Sequence, residues 1–126
     1  MPVIRRLRHR LGIILPSRDR HGHLLSAKTR RVIREVVADW FGRSFAGSTE
    51  DRMQMRARLR GRWGLGVGVT VEEVEEVWVY CTAADFRKYK PHLIRLAEDV
   101  AAEGDQEAVA ILVDDGMELV VRKETR

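Results

Sequence analysis

Hydrophobic and polar residues alternate near the N-terminus of the chain and then change to helical spacing. In LRHRLGIILP, residues 7–16, apolar residues alternate with basic ones, and the run closes at Pro16, a pattern that predicts a first strand. Ser26 then precedes apolar residues that recur every three or four positions, which predicts a helix ending at Gly42. The apolar stripe of this helix comprises Val32, Ile33, Val36, Val37, Trp40 and Phe41.

The middle of the chain predicts a hairpin. RMQMRARLRGRW, residues 52–63, alternates apolar or small residues with polar ones, and the glycine-rich residues 64–68 suit a connection. Residues 70–81 fit two interpretations, because Thr70 and Glu73 have capping-box spacing whereas VWVYC favours a strand. We prefer a strand with a bulge near Glu72 or Glu73, and a helix over residues 70–77 stays open as the alternative.

The C-terminal third predicts a helix followed by two strands. The helix begins at Thr82 or Asp85 and ends at Gly104, and Pro91 either kinks it or opens its main segment. EAVAILV, residues 107–113, is a compact apolar run typical of a buried strand. DDG then turns the chain, so that MELVV pairs back as a final strand.

This order of elements predicts an α+β ferredoxin-like sandwich. Its antiparallel sheet carries two helices on one face, in the order β-α-β-β-α-β plus an additional edge strand. The length fits a single domain over residues 1–126. Within it, residues 1–10 form a basic arm or the start of the first strand, and residues 120–126 form a charged tail.

Composition indicates a folded, charge-rich protein, since 44% of the residues are hydrophobic and 33% are charged. No apolar run is long enough to cross a membrane and no secretory signal is present, so we expect a cytoplasmic protein without membrane contact. Cys81 lies in an apolar run, which predicts an inert buried thiol. The net charge of +4 is uneven, because residues 1–43 carry 11 lysines and arginines against three acids.

The alternating arginines of residues 52–63 have two interpretations. If the hairpin folds about residue 66, Arg60 lies opposite Glu72 and Arg56 lies opposite Glu76, and the arginines form a charge ladder across two strands. The second interpretation is a cationic surface that contacts nucleic-acid phosphates or an acidic protein partner. Its candidate residues are Arg5, Arg6, Arg8, Arg10, Arg52, Arg58 and Arg62.

A second group of polar residues is the candidate lining of a ligand pocket. His21 and His23 lie near Asp19, but no further cluster completes a metal-ligand spacing, so we predict a polar turn and no metal. Gln106 and Glu107 open the most apolar strand and either form its entrance or face a cleft. The glycines of residues 64–68 lack nucleotide-binding spacing, and we predict no cofactor.

Short motifs spread over residues 11–119 resemble those of small uncharacterised bacterial single-domain proteins. Two motifs resemble those of that group. One is a PxxDxxG-like turn at Pro16, Asp19 and Gly22, and the other is a late segment with the sequence DQEA followed by aliphatic residues. Asp105 stands where that group has glycine. The resemblance implies a single α+β domain and no particular activity.

These observations favour a non-enzymatic binding or assembly module in a bacterial complex, with a basic surface for nucleic-acid backbone or an acidic protein. The alternative is a small enzyme or metabolite-binding protein with a pocket between the helices and the sheet, completed by dimerisation. Its candidate residues are Asp19, His21, His23, Gln106 and Glu107. A third hypothesis is a structural homodimer that pairs through an exposed strand edge.

Overall fold

The computed structural model describes residues 2, 7–45, 53–63 and 70–122. Within these ranges the chain forms five strands and two helices. In chain order they are β1 (His9–Leu15), α1 (Ala27–Phe45), β2 (Met53–Trp63), β3 (Thr70–Cys81), α2 (Ala83–Glu103), β4 (Ala108–Val113) and β5 (Gly116–Val121).

The strands form one antiparallel sheet in the order β2-β3-β1-β4-β5. Helix α1 connects β1 to β2 and helix α2 connects β3 to β4, and in each case one other strand lies between the two connected strands. This topology confirms the predicted ferredoxin-like α+β fold, with β5 as the additional edge strand. No helix within the described ranges has the length and apolar character needed to cross a membrane.

The main core lies between the helices and one face of the sheet. Strand β1 contributes Leu11, Ile13 and Leu15 to it, as the alternation predicts. A smaller buried cluster of Ile14, Ala110 and Leu112 lies on the opposite face, with Trp78 packed against it. Both faces of the sheet centre are therefore buried, which explains why β1 and β4 read as continuous apolar runs.

Helix α1 is longer than predicted: it continues through Gly42 and ends at Phe45. Phe45 is buried, with its ring 6.1 Å from that of Phe41 and 4.9 Å from that of Tyr89. The prediction that the helix ends at Gly42 was wrong because tertiary packing of an apolar residue outweighs the local effect of a glycine. Helix α2 begins and ends as predicted, capped by Thr82 and Gly104, and it contains Pro91.

Residues 70–81 form a strand, so the preferred interpretation of this segment is confirmed. The predicted bulge is absent, since the pairing with β2 is continuous through Glu72 and Glu73. The register pairs Arg60 with Glu73 and Arg58 with Glu75, one residue away from our prediction. Six residues connect Trp63 to its partner Thr70, whereas a hairpin centred on residue 66 would pair Trp63 with residue 69 and have a connection of five residues.

Candidate functional site

The connection from β1 to α1, residues 16–26, is built around Asp19. Its Oδ1 atom accepts the backbone N–H groups of His21 at 2.8 Å and His23 at 3.0 Å. Its own backbone N–H donates to the carbonyl oxygen of His23 at 2.8 Å. Asp19 therefore holds the turn closed, as aspartate does in an Asx turn.

The pKa of Asp19 reports this environment. Partial desolvation alone would raise the pKa, but the hydrogen bonds from the backbone of His23 and His21, together with the charge of the two rings, outweigh it and lower the pKa. The carboxylate form of Asp19 is thus the one that this loop stabilises.

Residues 104–107, between α2 and β4, hold the Asp19 loop in place. The side-chain amide of Gln106 donates to the carbonyl oxygens of Arg18 and of Gly104. Asp105 accepts the backbone N–H of Arg20 at 2.9 Å, and its carboxylate lies 3.2 Å from the Arg20 Nε atom. The structure therefore joins two segments that the sequence analysis singled out separately.

Three of the five residues predicted to line a ligand pocket are exposed to solvent. His21, His23 and Glu107 are exposed, and within the described ranges no group of three metal-ligating side chains occurs. The Asp19 carboxylate is engaged by its own loop, and Gln106 is engaged by two carbonyl groups. Ligand binding by these five residues stays a prediction.

An ion pair between α1 and β3 is the charged site that the sequence analysis missed. Arg34 donates from Nε to Glu75 Oε1 at 2.8 Å, and its Nη2 atom lies 2.6 Å from the same oxygen. Glu75 is 8% exposed, and it is the one buried charged residue among those whose side chains the structure describes. Buried carboxylates are costly without a partner, so such a group is a functional-site candidate.

The same region contains an unsatisfied donor. Arg30 lies one helical turn before Arg34, and its Nε atom is buried without a hydrogen-bond partner. In the part of the chain whose side chains are described, this is the one buried side-chain nitrogen or oxygen in that condition. Residues four apart on a helix lie on the same face, so Arg30 neighbours Arg34 on α1.

A faint signal for this site exists in the sequence. Glu75 stands two residues before Val77 and four before Val79, in the phase of the buried face of β3, and Arg30 and Arg34 have i, i+4 spacing. A carboxylate on a buried face indicates a partner from another element. Which element supplies it is a tertiary property.

The predicted cationic surface is only partly described. Arg8 is exposed, whereas Arg10 donates to the Asp114 carbonyl oxygen at 3.0 Å and lies over the Trp78 ring. Arg58 and Arg62 have Glu75 and Val71 as cross-strand Cα partners. Arg5, Arg6 and Arg52 lie outside the described residues.

The predicted homodimer through a strand edge stays a prediction. Strand β5 is an edge of the sheet, where Met117, Leu119 and Val121 are exposed.

Two solved structures are similar to this chain over its whole length. One is a phage SAM lyase in complex with S-methyl-5'-thioadenosine, with a TM-score of 0.56 and 11% identity over 100% of this chain and 98% of that chain. The other is a phage SAM lyase in its apo state, with a TM-score of 0.53 and 13% identity over 99% of this chain and 100% of that chain. No protein-family model and no curated protein matches the sequence.

The similarity corrects our leading functional prediction. We favoured a non-enzymatic module that presents a basic surface to nucleic acid or to an acidic protein, and that preference was wrong. The two solved structures that match this chain over its whole length are both SAM lyases, which are enzymes. The comparison agrees better with the alternative, a small enzyme, than with that module. Glu75 and Arg34 pair between β3 and α1.

Proposed function

We propose that this protein is a small enzyme that cleaves S-adenosylmethionine (SAM), with its site at the Glu75–Arg34 ion pair. The observation that carries the proposal is the buried Glu75 carboxylate, set between α1 and the sheet of a fold similar to that of a SAM lyase. SAM bears a sulfonium cation and an amino-acid arm with both charges, and charged groups are recognised by buried, partnered charges.

The chemistry requires little from the protein beyond orientation. When the substrate's own carboxylate attacks its γ carbon, a C–O bond forms, the C–S bond breaks and its electrons neutralise the sulfonium. The products are S-methyl-5'-thioadenosine and a four-carbon lactone, and charge balances without an added proton or nucleophile. Holding the arm in the reactive conformation and excluding water are therefore the contributions that we assign to the protein.

Glu75 is the residue that we assign to substrate binding. A carboxylate accepts about four hydrogen bonds, so the ammonium group of the substrate can share it with Arg34. Arg34 acts as a positioning residue, since its contacts at 2.6 and 2.8 Å orient the carboxylate.

Incubation of the purified protein with SAM tests the proposal. Mass spectrometry should detect S-methyl-5'-thioadenosine and the lactone above a protein-free blank, which is needed because SAM decomposes slowly by itself. Glu75→Gln should lower the rate by at least about tenfold, the loss expected for a charged hydrogen bond. Glu35→Gln, an exposed change on α1, should keep the rate and serves as the control.

Two outcomes would contradict enzymatic cleavage. Product at the blank rate, with SAM bound in equilibrium dialysis, would indicate a metabolite-binding protein without turnover. If Glu75→Gln forms product at the wild-type rate, Glu75 is not part of the active site. Thermal unfolding of each variant shows whether a lost rate reflects lost folding.

A further inference from the structure

The unsatisfied Nε atom of Arg30 has no hydrogen-bond acceptor among the described residues. This atom is buried and makes no hydrogen bond, although folding has removed it from water. Native proteins rarely leave a buried donor unpaired, because desolvation is then uncompensated. An acceptor supplied from outside the chain would satisfy this donor.

The charged residues on the same face of α1 suggest which group would fit beside Arg30. Arg34, one turn further along the same face of α1, is already engaged by Glu75 at 2.6 Å. The site thus offers the Glu75 carboxylate, which Arg34 contacts, and a second arginine whose Nε atom lacks an acceptor. An amino acid carries the complement, an ammonium group for Glu75 and a carboxylate for Arg30.

We infer that Arg30 binds the α-carboxylate of a sulfonium amino acid whose ammonium group is bound at Glu75. This inference rests on the proposed function and adds to it the part of the substrate that the protein recognises. SAM should be bound through its amino-acid arm, whereas decarboxylated SAM should bind without any contribution from Arg30. A carboxylate held at one oxygen also has its second oxygen available for attack on the γ carbon.

The test compares two adenosyl ligands that cannot form the lactone. Sinefungin retains the α-carboxylate but carries no sulfonium, and decarboxylated SAM lacks the carboxylate. Their Kd values are measured by calorimetry for the wild type, for Arg30→Gln and for the control Arg31→Gln, which alters the exposed neighbour on α1. Arg30→Gln should raise the Kd of sinefungin by about tenfold or more and leave that of decarboxylated SAM within about twofold.

The unliganded protein gives a second readout. Arg30→Gln removes a buried donor without a partner, so its thermal midpoint without ligand should equal or exceed that of the wild type. A purely structural arginine would instead lower the midpoint when replaced. If Arg30→Gln fails to fold, Arg30→Lys keeps the charge and should weaken sinefungin binding selectively, because lysine lacks the planar fork.

The outcomes separate this inference from the proposed function. Equal weakening of both ligands by Arg30→Gln, or weakening of neither, would overturn the role of Arg30 while the wild type still binds adenosyl ligands. If the wild type bound neither ligand nor SAM, the proposed function would fail, and the inference with it.

Discussion

Gly12 of β1 and Trp78 of β3 face each other so closely that a Cβ atom at Gly12 would lie 2.6 Å from the Trp78 Cβ. The same atom would lie 2.7 Å from the carbonyl oxygen of Val77. Real Cβ atoms do not approach other atoms this closely, and here the obstacles are a Cβ atom and backbone rather than the end of a flexible side chain. The absence of a side chain at Gly12 therefore lets the two central strands pair beside the tryptophan.

Gly12→Ala should consequently lower the free energy of unfolding by about 1 to 3 kcal/mol, the range for overpacking of a core. Gly42→Ala is the matched control, because nothing lies within 4 Å of a Cβ atom there and alanine favours the helix. That variant should gain about 0.5 to 1 kcal/mol. Chemical denaturation measures both changes, and equal stability of the two variants would contradict the close approach.

The Arg34–Glu75 ion pair should contribute to stability as well as to the site. Arg34→Gln leaves the carboxylate of Glu75 without this partner, so we expect a loss of about 1 to 3 kcal/mol. The figure is reduced from that of a fully buried pair because the Arg34 side chain is 37% exposed. Combining Arg34→Gln with Glu75→Gln should recover part of the loss, and a double-mutant cycle by urea denaturation checks this. Additive losses would contradict coupling between the two side chains.

Asp19 should make stability depend on pH in the acid range. Folding lowers the pKa of this carboxyl below the ordinary value of about 3.9, so the folded state binds its proton more weakly than the unfolded state does. The stabilisation is thus complete above about pH 4 and is lost as the pH falls through the lower, folded-state pKa.

Asp19→Asn tests this, because asparagine keeps an acceptor for the two loop amides but carries no charge. The wild type should lose more stability than Asp19→Asn between pH 7 and pH 3, as measured by urea midpoints at each pH. Asp99→Asn, on the exposed face of α2, should follow the wild type. A difference between the wild type and Asp19→Asn that stays constant with pH would contradict a lowered pKa.

The candidate site was only partly predictable. Asp19 and Gln106 were singled out from the sequence because polar residues in a turn and at a strand entrance are conspicuous, and the structure does join their segments. Their hydrogen bonds go to backbone groups, however, so their visible contribution is to the loop. Glu75, Arg30 and Arg34 were missed because acids and arginines are frequent in this chain, and the phase of Glu75 with Val77 and Val79 is too weak a signal to single it out.

Local sequence patterns were sufficient to predict the kinds of element and their order. Alternation in β1, helical spacing in α1 and α2, and the turn at Asp114 and Asp115 are local patterns, and together they imply the ferredoxin-like topology. The register of the β2–β3 hairpin, by contrast, could not be predicted from local patterns. The same holds for the extension of α1 to Phe45 and for the pairing of Arg34 with Glu75. The physical reason is that period and propensity act between neighbours in the chain, whereas register, burial and ion pairing depend on contacts between residues far apart in it.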